Sequence, residues 1–337
     1  MRQPRIKLEN QPAWYQCYNR VAGTSHDRPF GDVEKEQFVR ILHRVCELYT
    51  VEVVAYQVMS NHYHLLVHAA ADVPDAEETC RRYKAFYHGK RTLKPGSKRC
   101  RQWQARCRDI SWFMRHLQQL FTCWFNRTRP IRRRGALWAG RFKHTLLESG
   151  PAVWRCWAYI ENNPVRAGMT KHVADYRFCS HGMWHQSGRH PFAENVVQRA
   201  LPVFAHLFGF RNLADIKAHM NEALKEEAGP QADDTGFTIQ VGRRVRHWTD
   251  GLVIGSRLFL CEVMANHRSQ TVIARHRMAK ANDTTHGDLY AWRRVRDSVA
   301  GSFRNSNDRQ PVRCPMTPNR LGGGSVLTFK RFSPVIT

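Results

Sequence analysis

No stretch of this chain is apolar for long enough to cross a bilayer, and its opening, Met1-Arg2-Gln3-Pro4-Arg5, lacks the hydrophobic core of a secretory leader. A soluble, cytoplasmic protein with no membrane partner is therefore expected. Acidic residues are scarce. The 28 Asp and Glu stand against 53 Lys and Arg, a formal charge of +25 that calls for a polyanionic partner. Nucleic acid is the leading class, and association with the nucleoid the expected location. The 10 cysteines include no Cys-x-x-Cys pair, which speaks against a zinc knuckle or a disulfide framework and for reduced thiols. There is also no Gly-x-x-x-x-Gly-Lys loop to cradle nucleotide phosphates.

What is present is enough to fold. The chain has 337 residues, 42% of them hydrophobic, a length that suits about two domains. Trp14 to Arg20 alternates as a first strand. Asp32 is the capping candidate for a helix over 33–48, with Phe38, Ile41, Leu42 and Val45 at helical spacing. Val51 to Met59 and His62 to Ala69 form two β-rich runs parted by Ser60-Asn61, as in a tight antiparallel hairpin. From 71 to 109 the chain is polar and strongly basic, and reads as an insertion or nucleic-acid arm, with a solvated loop the ordinary alternative. Ser111 then caps an amphipathic helix carrying Phe113, Leu117, Phe121 and Phe125. Leu137 to Leu147 reads as a strand, and Gly150-Pro151 opens a helix that Asn163-Pro164 should end. Beyond Cys179 come a helical segment over 194–227, an acidic, glycine-containing gap at 229–236, a basic run at 243–248 and a capped short helix over 256–266. This order of elements describes an α+β domain, an antiparallel sheet with helices on one face, followed by a mostly helical C-terminal extension.

The chemically informative segment is Met59-Ser60-Asn61-His62-Tyr63-His64-Leu65-Leu66-Val67. Alternation along a strand sends His62 and His64 to one face and Tyr63, Leu65 and Val67 to the other. Two imidazoles at that spacing can hold a divalent ion, although a bare His-x-His also suits a half-exposed strand with two solvated rings. Downstream, Tyr159 and Asn163 lie one helical turn apart on one face.

Three ordered segments carry a family resemblance. They are Val58 to Val67, Leu137-Trp138-Ala139-Gly140-Arg141-Phe142-Lys143, and Tyr159-Ile160-Glu161-Asn162-Asn163-Pro164-Val165-Arg166-Ala167-Gly168. Together, with Asn19-Arg20 fitting the first strand, they resemble the REP-associated tyrosine transposases, which belong to the single-tyrosine His-hydrophobe-His (HUH) endonucleases. The likeness spans residues 12 to 178. It implies a ferredoxin-like sheet, a transposase domain over 1–178 and an accessory region, with a role in DNA binding open to it, over 179–337. It also implies that His62, His64 and Asn163 bind Mg²⁺ or Mn²⁺, and that Tyr159 is the nucleophile. Cleavage of single-stranded DNA near hairpins, through a 5′-phosphotyrosine, is the implied reaction.

Candidates for DNA contact are Asn19, Arg20, Arg132, Arg133, Arg134, Arg141, Lys143 and Arg166. His68 continues the histidine face toward the strand end. A histidine-triad nucleotide hydrolase would need a third histidine where Leu66 stands. A relaxase or replication initiator of the same endonuclease fold, and an idle basic DNA-binding protein, remain as alternatives. Monomer and homodimer are equally open.

Overall fold

The computed structural model describes residues 5–8, 11–24, 26–228, 248, 251–266, 276–282 and 288–294. Its centre is a seven-stranded mixed sheet, in the order β2-β3-β1-β4-β5-β7-β6. The strands are β1 (Ala13–Arg20), β2 (Val51–Val58), β3 (His62–Ala69), β4 (Lys143–Leu147), β5 (Gly251–Gly255), β6 (His276–Asn282) and β7 (Leu289–Arg294). Neighbours pair antiparallel except β4 and β5, which run parallel. The hairpin of β2 and β3 forms as its sequence predicts, and places Arg20 opposite His62 and Tyr18 opposite His64 across the β1 ladder. Three strands thus come from the part of the chain expected to be mostly helical. β5 to β7 extend the sheet beyond β4, and no short-range sequence signal announces such a long-range partner.

Helix α1 (Asp32–Leu48) and helix α4 (Ile110–Arg127) pack on the Tyr63 side of the sheet. Phe38 lies 4.6 Å from Tyr63 between ring centroids, Phe121 meets Phe38 edge-on at 5.2 Å, and Gln118 Nε2 donates to the Tyr63 hydroxyl at 2.7 Å. Helix α5 (Pro151–Glu161) covers the opposite, histidine side. The helices are therefore not confined to one face. Trp14, Leu66 and the histidines on that side also need cover from water, and α5, apolar almost all round, provides it.

Several boundaries differ from expectation for identifiable reasons. Asp32 is the first residue of α1; the cap is Gly31, whose N–H is taken by Glu34 Oε2 at 2.8 Å. Asp109 caps α4 in place of Ser111, accepting from the Ser111 N–H at 2.6 Å while also pairing with Lys7. Leu137 to Phe142 is not strand. This stretch crosses the end of β1 through a Val21–Trp138 bridge and a bond from Ala139 N–H to the Arg20 carbonyl, so β4 begins only at Lys143.

The basic stretch 71–109 is ordered as helices α2 (Ala76–Phe86) and α3 (Lys98–Cys107), capped by the Asp75 carboxylate and the Ser97 hydroxyl. Thr79, Tyr83, Phe86, Cys100 and Cys107 bury one side of this pair, while Lys84, Lys90, Lys94 and Lys98 stay exposed.

The segment predicted as a single helix over 194–227 is broken at Gly209, whose φ of +73° suits glycine, so that Leu201–Phe208 and Leu213–Ala228 are separate helices. Ser256 caps Arg257–Asn266, accepting from the Phe259 N–H at 3.2 Å. The gap at 229–236 and Arg243 to His247 lie outside the described residues. The nine described cysteines are all free thiols. No helix among the described residues is long and apolar enough to cross a membrane.

Candidate active site

The site forms where β3, β1 and the end of α5 meet. His62 and His64 stand on one face of β3 with ring centroids 5.4 Å apart and planes perpendicular. His64 is buried between Tyr18, stacked at 5.5 Å, and Tyr159, edge-on at 5.8 Å. Side chains separated widely in sequence, His64 and Tyr159, are therefore in direct contact. His62 remains partly exposed.

Both imidazoles are held neutral. Burial, with Arg20 and Arg28 nearby, pushes His62 down to about 4, and burial, with His62 and Arg166 nearby, pushes His64 well below the usual histidine range. Neutral imidazole is the form that binds metals. Nδ1 of His62 lies 2.8 Å from Asn61 Oδ1, and Nδ1 of His64 lies 3.1 Å from Gln16 Nε2. Each ring is thus fixed through Nδ1 by a side-chain amide.

Tyr159 sits in the last full turn of α5. Trp248 stacks on its ring at 5.4 Å and 27°, and the Arg166 guanidinium lies 4.2 Å from the ring centroid, leaving 6% of the residue accessible. Arg166 Nη2 also donates to the Tyr159 carbonyl at 2.8 Å. α5 ends at Glu161, two residues earlier than predicted, and Asn163 begins the short helix α6 (Asn163–Arg166). The spacing survives this break because Asn163 Nδ2 donates back to the carbonyls of Tyr159 and Ile160, at 3.2 and 3.3 Å. Those bonds engage the amide nitrogen and leave the oxygen as the end that a cation could use.

The end of α5 is anchored from below. The fully buried Glu161 accepts from the Ser180 hydroxyl, the His181 N–H at 3.1 Å and Trp157 Nε1 at 3.1 Å. Burial raises its carboxyl to about 7. Asn162, equally buried, has neither amide atom hydrogen-bonded among the described residues.

The other predicted DNA contacts divide. Arg20 flanks His62, and Lys143 stands opposite Tyr18 with its ammonium 5.9 Å from that ring. Arg141 is exposed just before β4. Asn19 is turned to the other face, opposite Tyr63, where its amide serves the Gly140 carbonyl and the Arg20 N–H. Arg132, Arg133 and Arg134 belong to a loop tied to α4 by Asn126, and none has a described contact with the histidines or Tyr159. His68 pairs with Glu52 at 2.8 Å, and Arg199 shares the same carboxylate at 2.7 Å. This makes His68 a structural tie.

Gln16, Tyr18, Arg28, Asn61 and Trp248 complete the site and were not predicted as members of it. Asn61 alone had a local signal, its position next to His62.

The two imidazoles and the Asn163 oxygen are neutral donors of the kind a divalent cation accepts. Among the described residues no group of three or more His, Cys, Asp or Glu side chains converges. Two imidazoles and an amide oxygen carry no charge, so a bound ion would keep its full positive charge for a phosphate. Imidazole nitrogen suits Mn²⁺ better than Mg²⁺.

No family model matches this chain, and no curated protein matches it. A solved structure of a REP-associated tyrosine transposase bound to a REP hairpin is similar to it at 16% identity and a TM-score of 0.37, over 57% of this chain and 89% of that one.

Proposed function

We propose that this protein is a transposase-like endonuclease and strand transferase that cuts single-stranded DNA near REP-like hairpins. The observation that carries this reading is the contact of Tyr159 with His64, with Arg166 laid across the tyrosine ring. A phenol, two neutral imidazoles, a backward-bonded asparagine and a guanidinium in one place match the needs of phosphodiester transfer better than those of structural packing.

His62, His64 and the Asn163 oxygen would hold Mg²⁺ or Mn²⁺, which when bound acts as a Lewis acid on the scissile phosphate. The chain's own groups do the rest. A tyrosine hydroxyl, with a reference pKa of about 10, is a weak nucleophile at neutral pH and depends on alignment. The packing of the Tyr159 ring restricts its orientation. Its oxygen forms the new bond to phosphorus, the bond from phosphorus to the 3′ oxygen breaks, and the phenolic proton is balanced, through solvent, by one taken up at that oxygen. The products are a 5′-phosphotyrosine and a free 3′-hydroxyl. One phosphodiester replaces another, so the strand can be rejoined. Arg166, Arg20 and Arg28 supply positive charge around the attack position, and Lys143 and Arg141 lie along a path for the backbone. The exposed lysines of α2 and α3 offer a further phosphate grip.

The test is a labelled single-stranded hairpin library incubated with full-length protein and Mn²⁺ or Mg²⁺. An SDS-resistant adduct on Tyr159 is expected. Binding without any adduct would favour the idle DNA-binding alternative, and an adduct independent of hairpins the relaxase or replication-initiator one.

A further inference from the structure

The two histidines differ in what meets Nδ1. For His62 it is an oxygen, Asn61 Oδ1 at 2.8 Å, an arrangement that suits a proton on Nδ1 and a bare Nε2. For His64 it is the amide nitrogen of Gln16 at 3.1 Å. In this orientation the amide nitrogen only donates, so Nδ1 is the acceptor and the ring proton falls on Nε2.

Gln16 is fully buried, and its Oε1 has no hydrogen-bond partner among the described residues. Turning the terminal amide over would bring Oε1 to Nδ1 and leave the nitrogen idle instead. In either orientation one end is engaged and the other is not. The amide alone therefore gives little preference, and the choice falls to whatever meets His64 Nε2. A carboxylate at this position would not have that indifference, because it could only accept.

We infer that Gln16 is the positioning residue of the cation site: its amide turns over as a divalent cation binds, so that Oε1 accepts from Nδ1–H and His64 presents a bare Nε2. This rests on the reading of His62 and His64 as ligands. It gives the chain a neutral partner for the buried imidazole, one that does not reduce the charge a cation brings to a phosphate. Gln57 stands directly opposite His64 in the β2 ladder, also fully buried and with both amide atoms unpartnered among the described residues. Polar capacity on this face thus exceeds what the protein alone satisfies.

The experiment measures Mn²⁺ affinity of the full-length protein by electron paramagnetic resonance, separately from DNA cleavage, in wild type, Gln16→Leu, Gln16→Glu and His64→Ala. Gln16→Leu should weaken Mn²⁺ binding about 10- to 100-fold, and Gln16→Glu, which still offers an oxygen to Nδ1–H, should keep it. Nitrogen-15 NMR should place the His64 proton on Nε2 without cation and on Nδ1 with Mg²⁺. Gln16→Leu that folds by circular dichroism and binds Mn²⁺ as tightly as wild type overturns the inference, as does an unchanged tautomer on saturation. Failure of the ligand reading looks different, since wild type and His64→Ala would then bind Mn²⁺ equally weakly.

Discussion

The two faces of β3 differ in how much polar chemistry they bury. On the Tyr63 face, aromatic rings interlock and Gln118 satisfies the Tyr63 hydroxyl, while the buried Tyr56 hydroxyl, opposite Leu65 in the β2 ladder, has no partner among the described residues. On the His64 face, Gln16 and Gln57 keep buried amide atoms without partners among the described residues, as does Asn162 at the end of α5. A buried polar group left unpaired costs about 1–3 kcal/mol, so the amides of the His64 face are not what stabilises the sheet. The strand's period of two lets a single segment serve both ends, with alternate residues assigned to each.

The sharpest test of this division is Tyr159→Phe, which removes one oxygen. Adduct formation on a labelled hairpin should fall below detection while gel-shift affinity and the melting temperature persist; a variant that still forms the adduct would break the comparison.

Acid comes next, and should act on both faces alike. Burial pushes His116 and His144 down to about 4 on one side of the sheet, and on the other His181 to about 4 and His190 to about 3. Below the ordinary histidine range the unfolded chain takes up protons that the folded chain refuses. Stability from these groups is therefore complete at neutral pH and is lost as pH falls from about 6.5 toward 4. Thermal melts across that range should show a falling midpoint, and a flat profile would contradict the burial of these rings.

Phe38→Ala should cost about 3–5 kcal/mol in urea unfolding, because the cavity opens between Tyr63 and Phe121. His64→Ala should cost clearly less; equal losses would make the histidine face an ordinary core. Arg166→Ala is expected to lower the cleavage rate about 10²-fold, the scale for removing one group that stabilises developing charge. A single-turnover assay with hairpin DNA reads this. Gln118→Leu should have the smallest effect, about 1 kcal/mol of unfolding free energy with cleavage unchanged.

Much of this organisation could be read from the chain. The strand and hairpin patterns of Trp14 to Arg20 and Val51 to Ala69, and the apolar stripes of α1 and α4, were legible because local periodicity and tertiary burial agree there. Helices α2 and α3 were hidden by composition, since a few buried side chains secure a surface that is otherwise basic. Gln16, Arg28 and Trp248 were invisible for another reason. Each acts on the site from far away in sequence, Gln16 and Trp248 by contact and Arg28 by its charge, which no window of neighbours contains. The pairing of β5 with β4 had the same character.

That pairing also decides where the protein can be shortened. β4 is an interior strand, hydrogen-bonded to β1 on one side and to β5 on the other. A fragment that stops before Gly251 leaves Thr145, Leu146 and Leu147 along an open rim of unpaired amides and carbonyls, the kind of border that recruits a strand from another molecule. The final strands therefore act as a selvedge, and trimming them should trade a well-behaved protein for one that sticks to itself.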